Sequence, residues 1–291
     1  MNSSFIAIHS PGNRPDRWEF GCVPYVYEIA RCQLTNAEWC EFLNAQGEET
    51  SKRLKLFHKD MATGVLGGIE IDAAGHFRAK DGWAKKPVVY VNFKSVCRYC
   101  NWLSSGKTEC GSYDMLQEVP RRVVGARYFI PNENEWYKAA YWRNGVYVDY
   151  PTGNSLPSLD QANFERDDEF AVGAPSYFAD VDAFASAATP DGVVQMGGNA
   201  WELLEDVAVD DRGRLQNHYR GGSFGYTETG LSRRNCDSAP YNGRCYVFGV
   251  RIARKLDGWK PMPLPLGYRL VLWGKRMIRK CRKALSSRLR R

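Results

Sequence analysis

Several things are scarce or missing in this chain, and each absence closes off a class of protein. No apolar run approaches the roughly 18 residues that a membrane-spanning helix needs. The opening MNSSFIAIHSPGNRPDR has neither a basic start nor a long apolar stretch, so no secretory leader is expected. Histidine is rare: His9, His58, His76 and His218 are the only four, and none stand at H-x-x-x-H or another ligand spacing. No internal repeat of 20 to 50 residues is visible, which argues against a solenoid or propeller. Cysteine is present nine times, an odd number scattered over the length. Without an export signal, the expected state is reduced thiols in a cytoplasm.

What is present fits a folded domain of 291 residues with 44% hydrophobic and 25% charged residues. Aromatics make up 13%, including nine Trp and sixteen Tyr, so a core built on large rings is expected. The charge is uneven. From Arg251 onward there are fourteen Lys and Arg against the single acid Asp257, whereas the first 250 residues hold 26 basic and 32 acidic groups. A mildly acidic body joined to a strongly basic tail is a poor match to a nucleic-acid-binding domain.

Along the body, short segments are broken by Gly, Pro and Asn. The string LTNAEW predicts a helix in which Thr35 and Glu38 form a capping box, with Trp39, Phe42 and Leu43 on its apolar face. Residues 67–77 alternate like a short hairpin, and PVVYVNF at 87–93 predicts a strand. A helix with Val96, Tyr99, Cys100 and Leu103 on one side follows it. In PNENEW, Asn132 is a strong N-cap and Glu135 stands three residues on, where first-turn carboxylates suit the helix dipole. Residues 150–190 are rich in loops, and strand pieces around tight turns are expected from residue 196 on. This pattern predicts an irregular α+β domain with little regular secondary structure.

The stretches YEIARCQLTNAEWCEFLN, PVVYVNFKSVCRYCNWL, RYFIPNENEWYKAAYW, MGGNAWE, RGGSF and FGVRIAR, taken in order, resemble the formylglycine-generating enzyme, or sulfatase-modifying factor, family. The resemblance runs from about Tyr27 to Arg254 and is similar to a bacterial subgroup in TECGSYDM, YPTGN and PDGVVQMGGN. It implies an irregular C-type-lectin-like fold. It also implies an oxidase that turns a peptidyl cysteine into formylglycine on a copper ion held by two cysteines just after the RGGSW block. Here Tyr226 and Leu231 fall at those two places, and neither a phenol nor an isobutyl group replaces a soft thiolate for copper(I). The family's sulfoxide synthases hold iron through three histidines on an added helical domain, for which this chain has neither the histidines nor the length. Neither copper nor iron is therefore expected.

Several other residues carry weaker chemical signals. Cys236 and Cys245, the next thiols after the vacant pair, are the weak catalytic candidates, as a disulfide or an unusual metal site. Cys97 and Cys100 read as core residues in a helix, Ser223 as a buried hydrogen-bonding residue and Arg220 as a salt-bridge partner. The resemblance implies a structural calcium held by the carbonyls of Gln195, Gly198 and Ala200 and by the Glu202 side chain, against the alternative that Glu202 simply pairs with an arginine. A weaker calcium site would use Asn163 and the Phe164 carbonyl, with Asp167 and Asp168 nearby. The loop from 226 to 246 is expected to line the lectin-like ligand face through Tyr226, Arg233, Arg234, Asn235, Tyr241 and Asn242, because Tyr and Arg dominate interface hot spots.

Beyond the body, Pro261, Pro263 and Pro265 make a semi-rigid linker at 257–267. Residues 268–291 read as a basic amphipathic helix suited to an anionic membrane surface, an acidic partner or, less well, nucleic acid. The organisation expected from sequence is thus a family-like domain at 1–256, the linker, and a helical tail. The leading functional expectation is a calcium-stabilised recognition module for a peptide, glycan or protein ligand, in the cytoplasm or at the inner face of its membrane. The alternative is a metal-dependent oxidoreductase with atypical ligands.

Overall fold

A computed structural model describes residues 4–256; the expected linker and basic tail lie outside the described residues. Two four-stranded sheets organise them. In the first, Phe5–Ile8, Tyr27–Ala30, Ala253–Lys255 and Tyr128–Phe129 are antiparallel neighbours in that order, so strands from both ends of the domain close one sheet. In the second the order is Asp237–Pro240, Leu215–Arg220, Trp201–Val209 and Phe248–Gly249, with the last pair parallel. Residues 150–190 contain only the two-residue ladder Glu165–Arg166 with Glu169–Phe170 and a short turn of 3-10 helix.

The capping signals act as the sequence predicts. Thr35 and Glu38 complete a reciprocal box on the Asn36–Gln46 helix, and Asn132 and Glu135 do so on Glu133–Tyr141. A third box, Asn92 with Ser95, opens the Phe93–Ser105 helix. Each cap satisfies N–H groups that a helix start otherwise leaves without partners, typically worth about 1 kcal/mol. The expected hairpin is the pair Ile69–Ile71 and Phe77–Ala79.

The expected strand at 87–93 does not form. Val88 to Val91 are buried, but they pair only singly, Val88 N–H with the Leu34 carbonyl and Tyr90 N–H with the Cys245 carbonyl. Tyr90 sits at φ 60°, which turns the chain out of extended geometry before a ladder can build. Burial here comes from the core rather than from a sheet partner. Large rings dominate that core: Trp39, Phe42, Tyr99 and Trp102 stack edge-on and tilted with centroids 5.2 to 5.9 Å apart. Cys97 and Cys100 are fully buried on the same helix, and burial pushes the Cys100 thiol well up, so both behave as small hydrophobes.

Candidate functional site

Two of the ionic centres around the second sheet, and a basic cavity, bear on the expected site residues. The deeper centre joins Glu202, on the Trp201–Val209 strand, to Arg251, and both are essentially free of solvent. Arg251 Nη2 and Nε reach the carboxylate at 2.7 and 3.0 Å, and Trp136 Nε1 donates to Oε2 at 2.6 Å. The rest of the guanidinium donates to the carbonyls of Ala30, Arg31, Val194 and Gln195. Every donor of this buried charge has an acceptor, the condition under which an ion pair can be carried in a core.

This centre bears directly on the stronger of the two expected calcium sites. The Glu202 carboxylate is neutralised by a guanidinium, the Gln195 carbonyl accepts from Arg251 at 3.2 Å, and the Ala200 carbonyl accepts from Gln33 Nε2 at 2.9 Å. A hard dication would have to displace Arg251 and share its charge, so these residues do not fit calcium. The weaker site keeps one spare side-chain oxygen, although its Phe164 carbonyl accepts from the Ala171 N–H at 3.3 Å. Asn163 is fully buried, with Nδ2 donating to the Tyr177 carbonyl and to Asn199 Oδ1, while its Oδ1 has no donor. Asp167 and Asp168 are exposed at φ 51° and 67°, in the turn of the hairpin that begins beside Phe164.

The second centre is half open. Glu133 begins the Glu133–Tyr141 helix, and its Oε1 takes Nε and Nη2 of the buried Arg220 at 2.9 and 2.7 Å. Arg220 also donates to the carbonyls of Arg233 and Asn235. Along the Leu215–Arg220 strand, His218 lies two residues before Arg220 and so shares its face. Its Nδ1 is 3.9 Å from Glu133 Oε2, an ion-pair rather than a hydrogen-bond distance. Cys236 leads into the neighbouring strand, where Ser238 pairs with His218 and Asp237 with Tyr219. One ligand atom from each of Glu133, His218 and Cys236 lies within 4.8 Å of the other two. The neighbouring Cys236 and Glu133 side chains favour the imidazolium and, against burial, push His218 up to about 10. Burial pushes the Glu133 carboxyl up, but His218 and the Arg220 charge outweigh it and hold it below its ordinary value.

Cys245 does not join this group. Its carbonyl accepts from Tyr90, it packs against the core, and the eight cysteines among the described residues are all free, Cys236 and Cys245 included. At the two copper positions, Tyr226 stands edge-on to Trp201 with its ring partly exposed, and Leu231 is fully buried. Ser223 is buried as expected, but its Oγ has no hydrogen-bond partner.

The expected ligand face divides in two. Arg233 and Arg234 both lie over the Trp18 ring, and Arg233 is tied to Asp149 at 2.9 Å. Arg234 and Asn235 help line a cavity of about 530 Å³ with Asp149 and Tyr150. Tyr241 packs on Phe93 and donates to the Glu118 carbonyl. Asn242, at φ 60°, accepts from the Lys94 N–H and donates through its own N–H to Asn217. It opens onto a different cavity of about 610 Å³, lined by Lys55, His58, Lys94, Arg98 and Arg244 with Asn92, and by no carboxylate. Burial pushes the Arg244 guanidinium down to about 10, and burial followed by the Arg244 charge pushes His58 down. Arg244 belongs to the 226–246 loop expected to bind ligand, whereas Lys55, His58, Lys94 and Arg98 carry no such expectation from sequence. The sequence signal for the cavity is the basic string from Lys52 to Lys59, which a helix end and a turn bring up to the start of a second helix.

The family model for the sulfatase-modifying factor enzyme 1-like domain matches residues 23–256. Among solved structures, CarF is similar with a TM-score of 0.59 at 18% identity, covering 88% of this chain and 99% of its own. Treponema denticola variable protein 1 follows with a TM-score of 0.58 at 16% identity, over 87% and 95%. No curated protein matches. At these identities the structural likeness speaks for the fold alone. Among the described residues no helix is long and apolar enough to cross a membrane.

Proposed function

The chain belongs to the family of sulfatase-modifying factor enzyme 1-like domains, and from that premise we propose that it is a recognition module whose ligand presents a carboxylate, sulfate or phosphate to the Lys55–Arg244 cavity. The observation that carries this reading is the lining itself: Lys55, Lys94, Arg98 and Arg244 with His58 and two asparagines around about 610 Å³, the nearest acids being Glu109, paired with Arg98, and Asp60, beside His58. That volume suits a small ligand or the end group of a peptide or glycan. Guanidinium and amide donors on rigid elements can orient an oxyanion, while lysines at the mouth supply attraction. Lys94 and Arg98 belong to the capped Phe93–Ser105 helix, and Arg244 is held by donating to the Tyr90 and Lys55 carbonyls, so part of the cavity is set before a ligand arrives. Copper oxidation has no support at Tyr226 and Leu231, where no sulfur is available. If calcium stabilises the module, it does so at Asn163 and not at Glu202.

The test uses the intact chain and inorganic phosphate and sulfate as probes. Either anion should raise Tm in a way that falls with added chloride, and Lys55→Ala with Lys94→Ala should abolish the rise without lowering Tm in its absence. Equal rises in the wild type and the double variant would overturn the reading.

A further inference from the structure

We propose that Glu133, His218 and Cys236 form a binding site for a borderline divalent transition metal of the zinc class, with one coordination position left open. The three side chains come from three different elements: a helix start, the middle of a strand, and the residue just before that strand's neighbour. Their ligand atoms nevertheless converge to within 4.8 Å. A tetrahedral ion with bonds of about 2.0–2.3 Å holds its ligand atoms about 3.3–3.8 Å apart. The observed His218–Glu133 separation of 3.9 Å already approaches that spacing, and the remainder needs only a small contraction around the ion.

The donor set selects the metal. A thiolate is a poor ligand for calcium or magnesium, and a linear copper(I) site wants two soft sulfurs, of which only one is here. Sulfur, imidazole nitrogen and carboxylate oxygen together suit zinc, cobalt(II) or iron(II), and three protein ligands leave a place for water or a ligand atom. The surroundings are those of a ligating carboxylate. Arg220 occupies Glu133 Oε1, leaving Oε2 facing His218, and a guanidinium bound to the outer oxygen fixes the direction of the inner one. Among His218's ring nitrogens, Nδ1 is shielded from solvent without a hydrogen-bond partner, so it can ligate beside the carboxylate once the incoming ion displaces its proton. Cys236 is exposed, which gives the ion a way in. The site is distinct from positions 226 and 231, where the family resemblance places copper, and it does not depend on the basic cavity.

The full chain, stripped of metal under reducing conditions, should bind one equivalent of Zn²⁺ in a titration with the metal alone. Cobalt(II) in its place should give a thiolate-to-metal charge-transfer band in the near ultraviolet. Cys236→Ser should abolish that band and weaken zinc binding at least 100-fold, and His218→Gln should weaken it by 10- to 100-fold. Cys110→Ser, an exposed thiol elsewhere, should change nothing, and unchanged circular dichroism in the exposed Cys236→Ser variant separates loss of binding from loss of fold. A wild-type chain that takes up no stoichiometric zinc, or a Cys236→Ser variant that binds it as well, would overturn the proposal.

Discussion

Glu202 and Glu133 each face a buried arginine, and they end in different conditions. Around Glu202 both oxygens are engaged, by Arg251 and by the Trp136 indole, and the arginine's remaining donors all find carbonyls. Around Glu133 one oxygen holds Arg220, while the other faces an imidazole at ion-pair distance with an exposed thiol beside it. The first arrangement is closed: nothing can bind there without removing a partner that the fold already relies on. The second has spare ligand capacity at the surface. A buried carboxylate is therefore a poor guide to a metal site until its partners have been accounted for.

The largest expected effect comes from breaking the closed pair. Glu202→Gln should cost about 3–5 kcal/mol in denaturant unfolding, because Arg251 would be left as a buried charge without a counterion. Glu133→Gln should cost less, about 2 kcal/mol by the same measurement, since Arg220 keeps its two carbonyl acceptors and the site borders solvent. Near-equal losses would erase the distinction drawn between the two centres.

A pH series sharpens it further. His218 is held protonated in the folded chain well above its ordinary 6.5. The stability it contributes is fully present below about pH 6.5 and is lost as pH rises toward about 10. In metal-free protein, the stability difference between wild type and His218→Gln should therefore be largest at acid pH and shrink across that window. Glu202→Gln should show no such convergence. The smallest effect concerns calcium. Added Ca²⁺ should raise Tm by a few degrees at most, and Asn163→Ala should remove that rise. If Glu202→Gln removes it while Asn163→Ala leaves it, the assignment of the better-fitting site is reversed.

What could be read in the sequence was whatever depends on neighbours along the chain. The Thr35–Glu38 and Asn132–Glu135 boxes need only three residues of spacing, and they form as expected. The strand expected at 87–93 failed because alternation and β-branching describe burial as well as pairing, and here the φ of Tyr90 stops the ladder. The family's sequence blocks carried the fold, since six of them in register leave little freedom for another. The metal ligands could not be found that way. Glu133 lies 85 residues before His218, and each residue in isolation has an ordinary explanation. The basic cavity was missed for the same reason, as its arginines and lysines meet only when two distant helices and the 242–244 turn are brought together. The 226–246 loop was read as one face because it is continuous in sequence, whereas its two ends open onto cavities that share no residue.

The pairing of Ala253–Lys255 between Tyr27–Ala30 and Tyr128–Phe129 also shapes how this domain is made. A ribosome delivers this interior strand of the sheet last, more than 200 residues after Tyr27–Ala30 and more than 100 after Tyr128–Phe129, the two partners it must reach. Until then the early strands wait with open hydrogen-bonding edges, and no stable N-terminal half can be set aside while synthesis continues. Such long-range closure slows folding and exposes the growing chain to mispairing. A nascent chain arrested before residue 253 should therefore be protease-sensitive throughout, and should acquire resistance in a single step once that last strand has emerged.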